Sequence, residues 1–232
     1  MGIHERKERE KERRKEEILD AAQRVFFEKG LNSATMDEIA EAAELSKATL
    51  YLHFVSKEDL YLAVAIRGLG IAHELFKEAI DGGTTIVEKL NGVKKAYTTL
   101  FNTHRNYFRM FSFFQTPQFH KQVSDAMKDA FRVESNKNWE MIISFFARGV
   151  SEKRIRNDFD PVEMAIVIWS NAASLMSRID SEAEVWKYRR NIDLNKTLET
   201  SFRLLIEAIL TPEARLEYAE LLRDEEKHIQ FK

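Results

Sequence analysis

The sequence predicts an all-α protein, and three properties of the chain lead to that expectation. Its 232 residues include only 3 Pro and 8 Gly, so residues that break helices are rare. Apolar residues recur at intervals of three and four through most of the chain, as one face of an α-helix requires. No stretch shows the strict alternation that is typical of a half-buried β-strand, and we find no internal repeat.

Four helices are predicted in the first part of the chain. The first carries an apolar face from Ile18 to Phe26 and is expected to end near Gly30, which can adopt a positive φ. The next three each begin at a hydroxyl residue that can act as an N-cap. These N-caps are Thr35 (with Glu38 in a capping box), Ser46, and Ser56 (followed by Asp59).

The rest of the chain is predicted to form longer helices. Residues 81–84 are the clearest break, Pro117 marks a bend, and Pro161 suits the first position of a helix. A polar stretch at 181–191 is expected to separate two of the helices. The predicted helices cover roughly 84–103, 104–114, 121–151, 161–179, 194–210 and 212–227.

The amino-acid composition excludes several classes of protein and of site. The chain has no Cys, which excludes a disulfide framework and a thiolate metal site and fits a reducing, cytoplasmic setting. It has no run of about 18 apolar residues, so we expect no membrane-spanning helix and no membrane partner. The charged start of the chain lacks the apolar core of a secretory signal.

The charge of the chain is close to balanced, and its net charge of −2 gives no global sign of a polyanionic partner. A local basic excess lies at residues 6–15, which include Arg13 and Arg14 and carry seven Lys or Arg residues against three Glu. The run fits either a basic arm or a solvated helix face with ion pairs between neighbouring turns.

Residues 13–60 fit a helix-turn-helix, in which two short helices are joined by a tight turn and a third packs across them. One helix of such a unit lies in the major groove of DNA, and its back must be apolar so that its neighbours hold it. Leu50 and Phe54 supply that back. Many three-helix units never touch DNA, so this alternative stays open. The side chains left over suit bases and phosphates: Lys47, Ala48, Thr49, Tyr51 and His53.

Lys57 is predicted to lie in the first turn of the fourth helix. A cation there opposes the helix dipole, whereas the backbone N–H groups of the same turn favour an anion. We therefore interpret Lys57 as a phosphate contact rather than as a structural residue.

Five segments of this region, 18–22, 26–30, 35–40, 48–54 and 56–60, resemble the signature of the TetR/AcrR family of transcriptional regulators. The resemblance covers roughly 50 consecutive residues with matching spacings. It implies that Arg13 and Arg14 belong to an arm that reaches towards the DNA backbone or minor groove. It also implies DNA contacts for Thr35, Lys47, Thr49, Tyr51, His53 and Lys57, to which we add Ser46 and Ala48 from the same helix start.

One position departs from the family pattern, because Glu44 stands where the turn usually has Gly. If this residue is left-handed, its side chain costs about 1–2 kcal/mol. A slightly rearranged turn is the alternative.

The resemblance also implies a division into a DNA-binding domain, residues 1–60, and a helical domain for effector binding and dimerisation, residues 61–232. The helices near 161–179 and 194–210 are the expected dimer surface, because the first is unusually apolar and both carry small residues. Burial within one chain is the competing interpretation. The candidate interface residues are Ile166, Trp169, Ala173, Ser201, Leu204, Leu205 and Ala208.

An aromatic cluster near residues 101–119 predicts an apolar ligand pocket, because large rings that cannot all interdigitate leave or line cavities. A plain aromatic core is the alternative. The expected ligand is a hydrophobic or aromatic small molecule. The candidate pocket residues are Phe101, His104, Phe108, Phe111, Phe114, Trp139 and Phe146.

Signals for catalysis are weak. The six His residues show no metal-binding spacing, and no phosphate-binding or dinucleotide-binding glycine motif is present. We therefore expect no catalytic residue, metal or cofactor, and interpret the chain as a sequence-specific regulator, most simply a ligand-responsive repressor that binds a palindromic operator as a homodimer. The alternatives are an all-α cofactor-binding enzyme and a non-specific architectural DNA-binding protein.

Overall fold

A computed structural model of the chain describes residues 3–114 and 117–230, with side chains except at 3, 112–114, 117 and 228–230. The described ranges are helical almost throughout, as predicted, and apart from a single antiparallel bridge between Ile155 and Leu210 they contain no β-structure. The helices are α1 (Ile3–Ser33), α2 (Met36–Ala42), α3 (Lys47–His53), α4 (Lys57–Gly82), α5 (Ile86–Thr103), α6 (Arg105–Phe114), α7 (Pro117–Gln122), α8 (Asp125–Ser151), α9 (Pro161–Arg190), α10 (Leu194–Ile209) and α11 (Pro212–Gln230).

The helix starts follow the capping chemistry of the sequence. The Thr35 hydroxyl accepts the Glu38 N–H while the Glu38 carboxylate accepts the Thr35 N–H, which confirms the predicted capping box of α2. The Ser46 hydroxyl accepts the Thr49 N–H at the start of α3. Asp160 caps α9 directly before Pro161, which occupies the first helical turn as predicted. Side-chain oxygens at these positions satisfy N–H groups that a helix start otherwise leaves free.

The end of α1 differs in detail from the prediction. Gly30 adopts φ 72° and ψ 172°, so it interrupts the helix where a glycine was expected to end it. The chain then makes one more turn to Ser33 before α2 begins.

The prediction that residues 181–191 separate two helices is wrong for most of that stretch, because α9 continues to Arg190. Polar residues support a helix when they pair along it. The Glu182 carboxylate accepts hydrogen bonds from Arg178 and from the Trp186 indole. The helix ends only at Asn191, which is left-handed with φ 53°.

The helices group into two compact units. Unit 1 is Met1–Gly70 with Arg105–Ser135, and unit 2 is Ile71–His104 with Asn136–Lys232. The predicted boundary after residue 60 falls inside α4, and unit 1 also takes in α6, α7 and the start of α8.

Unit 1 has a core built from the apolar faces of its helices. The Tyr61 ring makes edge contacts with Phe26 at 5.0 Å and with Phe119 at 5.8 Å between ring centroids. This row joins α1, α4 and α7 in one apolar layer. Burial raises the pKa of Tyr61, which therefore stays neutral in that layer.

Unit 2 has its own core, and its largest fully buried side chains come from both of its segments, 71–104 and 136–232. Within this unit α9 packs along α10 and α5 packs on α11. The fully buried side chains are Val87, Phe101, Phe146, Ile155, Leu210 and Tyr218.

Glu44 is left-handed, with φ 55°, in the turn between α2 and α3. We expect Glu44→Gly to raise the free energy of unfolding by about 0.5–1 kcal/mol, because glycine removes the left-handed strain but loses more backbone entropy on folding. Denaturant unfolding measures the change. The matched control, Glu41→Gly in α2, should lower stability by up to about 1 kcal/mol. Equal signs for the two variants would contradict this account.

Candidate nucleic-acid interface

The third helix of unit 1 presents a mixed exposed face and an apolar back. Leu50 is completely buried and Phe54 nearly so, which confirms the predicted back of α3. Lys47, Ala48 and Tyr51 are exposed on the other side. The helix has only seven residues, too few to be stable alone, so burial of its back fixes its position.

Thr35, Ser46 and Thr49 are engaged in capping. Besides the capping interactions, the hydroxyls of Ser46 and Thr49 lie 2.8 Å apart. Thr49 and His53 are half-buried, whereas Thr35 and Ser46 are exposed. These side chains have defined positions at the surface, which suits a contact that must not lose much rotamer entropy on binding.

Lys47 is paired with the neighbouring helix. Its ammonium group donates to the Asp37 carboxylate at 2.9 Å, and this hydrogen bond raises the pKa of Lys47. Both side chains are about half exposed or more, so the pair is worth little and can exchange for another anion.

Arg13 and Arg14 lie on α1 and make ion pairs along the helix. Arg13 pairs with Glu10 and Glu17, and Arg14 lies within 3.5 Å of the same two carboxylates. This geometry matches the alternative of a solvated helix face. Such pairs are weak at the surface and leave the guanidinium groups free to turn to a stronger anion.

Lys57 has a structural role that the sequence did not indicate. Its ammonium group donates to the backbone carbonyls of Leu31 at 2.7 Å and Ala34 at 2.9 Å. These carbonyls follow Gly30, whose φ and ψ are non-helical. Lys57 therefore ties the first turn of α4 to the connection between α1 and α2.

A buried carboxylate joins the start of α4 to the start of α8. Asp59 is buried and accepts the Ser124 N–H at 2.7 Å. Ser56 lies close by and caps α4 by accepting the Asp59 N–H. This hydrogen bond makes the segment before α8 part of the frame that carries α3 and α4.

Helix α6 is held to α1 and α4 inside unit 1. The Tyr107 hydroxyl donates to the Gln23 side chain at 2.7 Å, and Arg67 pairs with Asp20 at 2.7 Å and with Glu16. At Gly68 a Cβ atom would lie 2.6 Å from the Tyr107 ring, so only glycine allows this close approach.

The candidate pocket residues do not all belong to one unit. Phe101 and Phe146 are buried in unit 2, where the Trp139 ring meets Trp169 at 5.7 Å between centroids and His104 caps α5. The half-buried Phe108 and Phe111 belong to unit 1, and the Phe114 side chain lies outside the described residues.

The candidate dimer residues lie on one pair of helices in unit 2. Ile166 and Trp169 of α9 and Leu204 of α10 are exposed although they are apolar, and Leu204 is 59% exposed. Ser201 of α10 donates a hydrogen bond to Asn171 of α9. Ala173 and Leu205 are half-buried and Ala208 is exposed beside them.

Sequence reasoning missed two residues of the region. Asp59 was noted only as part of a helix start, because its partner is 65 positions away. Leu52 was not singled out, although it is 85% exposed on α3. The signal that was available is an apolar residue two positions after Leu50, and so on the opposite side of α3.

We expect Lys57→Met to lower the free energy of unfolding by about 1.5–3 kcal/mol, because two carbonyls lose a charge-assisted hydrogen bond. Urea unfolding measures it. Lys47→Met is the matched control, and loss of its exposed ion pair should cost less than about 1 kcal/mol. If Lys57→Met is as stable as the parent protein, the hydrogen bonds from Lys57 to Leu31 and Ala34 do not stabilise the fold.

No group of three His, Cys, Asp or Glu residues in the described part of the chain is placed to hold a metal ion. The helices described there also include none that is long and apolar enough to cross a membrane.

Known proteins resemble this chain in sequence. Residues 18–64 match the family described as bacterial regulatory proteins, tetR family. The transcriptional activator FasR of Mycolicibacterium smegmatis is 37% identical over 87 residues, which are 38% of this chain and 40% of FasR. The transcriptional repressor KstR2 of the same species is 27% identical over 148 residues, 63% of this chain and 70% of KstR2. The aligned region thus spans less than half of the length of FasR.

A solved structure has a similar fold over most of the chain. The transcriptional regulator FadR of Bacillus subtilis, crystallised with stearoyl-CoA, superposes with a TM-score of 0.63 over 83% of this chain and 98% of FadR, at 20% identity. The family match on 18–64, the regulators similar in sequence and the shared all-α fold agree with the resemblance seen in the sequence. Residues 18–64 of the chain thus match the tetR family of bacterial regulatory proteins.

Proposed function

We propose that the protein is a sequence-specific DNA-binding transcriptional regulator, in which α3 enters the major groove. The observation that carries the proposal is the seven-residue α3, rigidly backed by Leu50 and Phe54, with Lys47, Ala48 and Tyr51 exposed on its outer side. Lys47 suits guanine or a phosphate, and Tyr51 and His53 suit phosphate oxygens.

The basic residues of α1 and Lys57 add to this proposal with different weights. Arg13 and Arg14 can exchange weak surface ion pairs for phosphates as the helix approaches the duplex. Lys57 already donates to two carbonyls, so a phosphate contact there would use its remaining N–H group.

We further propose a homodimer formed through α9 and α10. Val162, Ile166, Trp169 and Ala173 follow one face of α9, and Leu204 is exposed on α10. Two such pairs of helices related by a twofold axis would bury these apolar side chains in a four-helix bundle. A dimer places two copies of α3 on two half-sites, which is the reason to expect a palindromic operator.

We propose that the protein represses transcription and that a hydrophobic or aromatic small molecule is the effector that controls this repression. Unit 2 is rich in buried aromatic side chains, and it holds buried polar atoms with no hydrogen-bond partner among the described residues, namely His73 Nδ1, Asn91 Oδ1 and Tyr218 Oη. Burial raises the pKa of Tyr218 to about 12, so its hydroxyl is a donor at neutral pH. FadR of Bacillus subtilis, which has a similar fold, was crystallised in complex with stearoyl-CoA. Such a regulator acts where the DNA is, so we place it in the cytoplasm.

Selection of bound DNA from a random pool tests the proposed function. We expect an inverted repeat whose half-site centres are about 10–10.5 bp or a multiple apart, with salt-sensitive affinity. Lys47→Ala should relax the preference at one position of each half-site by about 1–3 kcal/mol. Lys196→Ala in unit 2 removes the same charge and should leave the selected sequence unchanged. Failure to enrich any salt-sensitive sequence would refute DNA recognition.

Sedimentation velocity tests the dimer. We expect Leu204→Glu to weaken self-association by roughly 100-fold or more, because a twofold interface contains the substitution twice and each buried Leu contributes about 1.5–3 kcal/mol. Leu216→Glu on α11 is the matched control, since Leu216 is 70% exposed and lies outside the proposed face. A dimer that survives Leu204→Glu and dissociates with Leu216→Glu would place the interface on α11 instead.

A further inference from the structure

Leu52 is an apolar side chain that is exposed to solvent on the outer side of α3. It is 85% exposed, whereas Leu50, two residues earlier, is completely buried. Leu52 is therefore not part of the apolar core, and its side chain contributes almost nothing to the stability of the fold. An exposed leucine is ordinary on a protein surface. Its place on this short helix is what gives it a specific meaning.

Leu52 shares its face with the residues proposed to meet the bases. It follows Ala48 by four positions, and residues four apart lie one above the other on a helix. Ala48, Tyr51 and Leu52 are all exposed, and Lys47 lies one turn before Tyr51. The outer side of α3 thus has a charged start and an apolar continuation through Ala48 and Leu52.

The major groove offers one apolar group on its base edges, the C5-methyl group of thymine. Lysine side chains can read guanine or phosphate, but a leucine has neither donor nor acceptor and can gain only by covering apolar surface. We propose that Leu52 is a specificity-determining residue that packs on a thymine methyl group in each half-site. The inference rests on the proposed function, because it needs α3 to lie in the groove.

A thymine-to-deoxyuridine scan of the selected operator tests this contact directly, because uracil keeps every hydrogen-bonding group of thymine and lacks only the methyl. The affinity of the full-length protein for each substituted duplex is measured by fluorescence anisotropy. With the parent protein, uracil at one position of each half-site should weaken binding about four-fold per methyl, the gain expected from burying one such group. Other positions that respond would report other side chains.

Leu52→Ala should bind the thymine operator about four-fold more weakly per half-site and should no longer distinguish thymine from uracil at that position. Val55→Ala is the matched control: Val55 is 76% exposed but lies after the C-cap residue of α3, so its uracil profile should equal that of the parent. Circular dichroism checks that both variants keep their helices, which is expected for exposed sites.

The outcomes separate the two levels of the proposal. If an operator is selected and Leu52→Ala keeps the uracil profile of the parent protein, Leu52 does not read a methyl group and this inference is overturned while DNA recognition stands. If Val55→Ala alone abolishes the response, the methyl contact belongs to Val55 and the assignment to Leu52 is wrong. If no sequence is enriched from the pool, the proposed function fails and the inference fails with it.

Discussion

The placement of α2 and α3 depends on the ammonium group of Lys57 lying against the carbonyls of Leu31 and Ala34. These carbonyls flank the connection where α1, interrupted at Gly30, gives way to α2. Lys57 opens α4, the helix that follows α3. The contact therefore joins the two ends of the segment that carries α2 and α3, and so fixes where that segment begins and ends. Neither short helix has enough length to stand alone.

That contact reverses one argument from the sequence. A cation in the first turn of α4 opposes the helix dipole, which made a phosphate the simplest partner for Lys57. The structure supplies two carbonyl partners instead, from 26 and 23 positions earlier in the chain. A lysine that opposes the helix dipole does need an acceptor. The sequence alone does not identify that acceptor, because the bend at Gly30 brings the two carbonyls near Lys57 only in the folded chain.

Other parts of the fold were predictable for a physical reason. The capping interactions at Thr35 and Ser46 join residues three apart, so their partners are visible in the sequence itself. A left-handed Glu44 is one of the two conformations that the sequence suggests, since the resembled family usually has Gly in this turn, and φ there is 55°. Interactions between distant residues were not predictable, and the extent of α9 depended on side-chain pairs in a stretch that composition alone marks as polar.

The hydrogen bond of Asp59 limits how part of unit 1 can be exchanged between related proteins. Its carboxylate is buried, and it accepts an N–H from Ser124, which lies in the second segment of unit 1. A chimera that exchanges the head of this protein for that of a relative at residue 70 would replace Asp59 and keep Ser124 from the host. If the relative has no carboxylate at that position, the Ser124 N–H would lose its acceptor, at a cost of about 1–3 kcal/mol. Unit 1 is therefore discontinuous in sequence, and its transferable form comprises residues 1–70 together with 105–135.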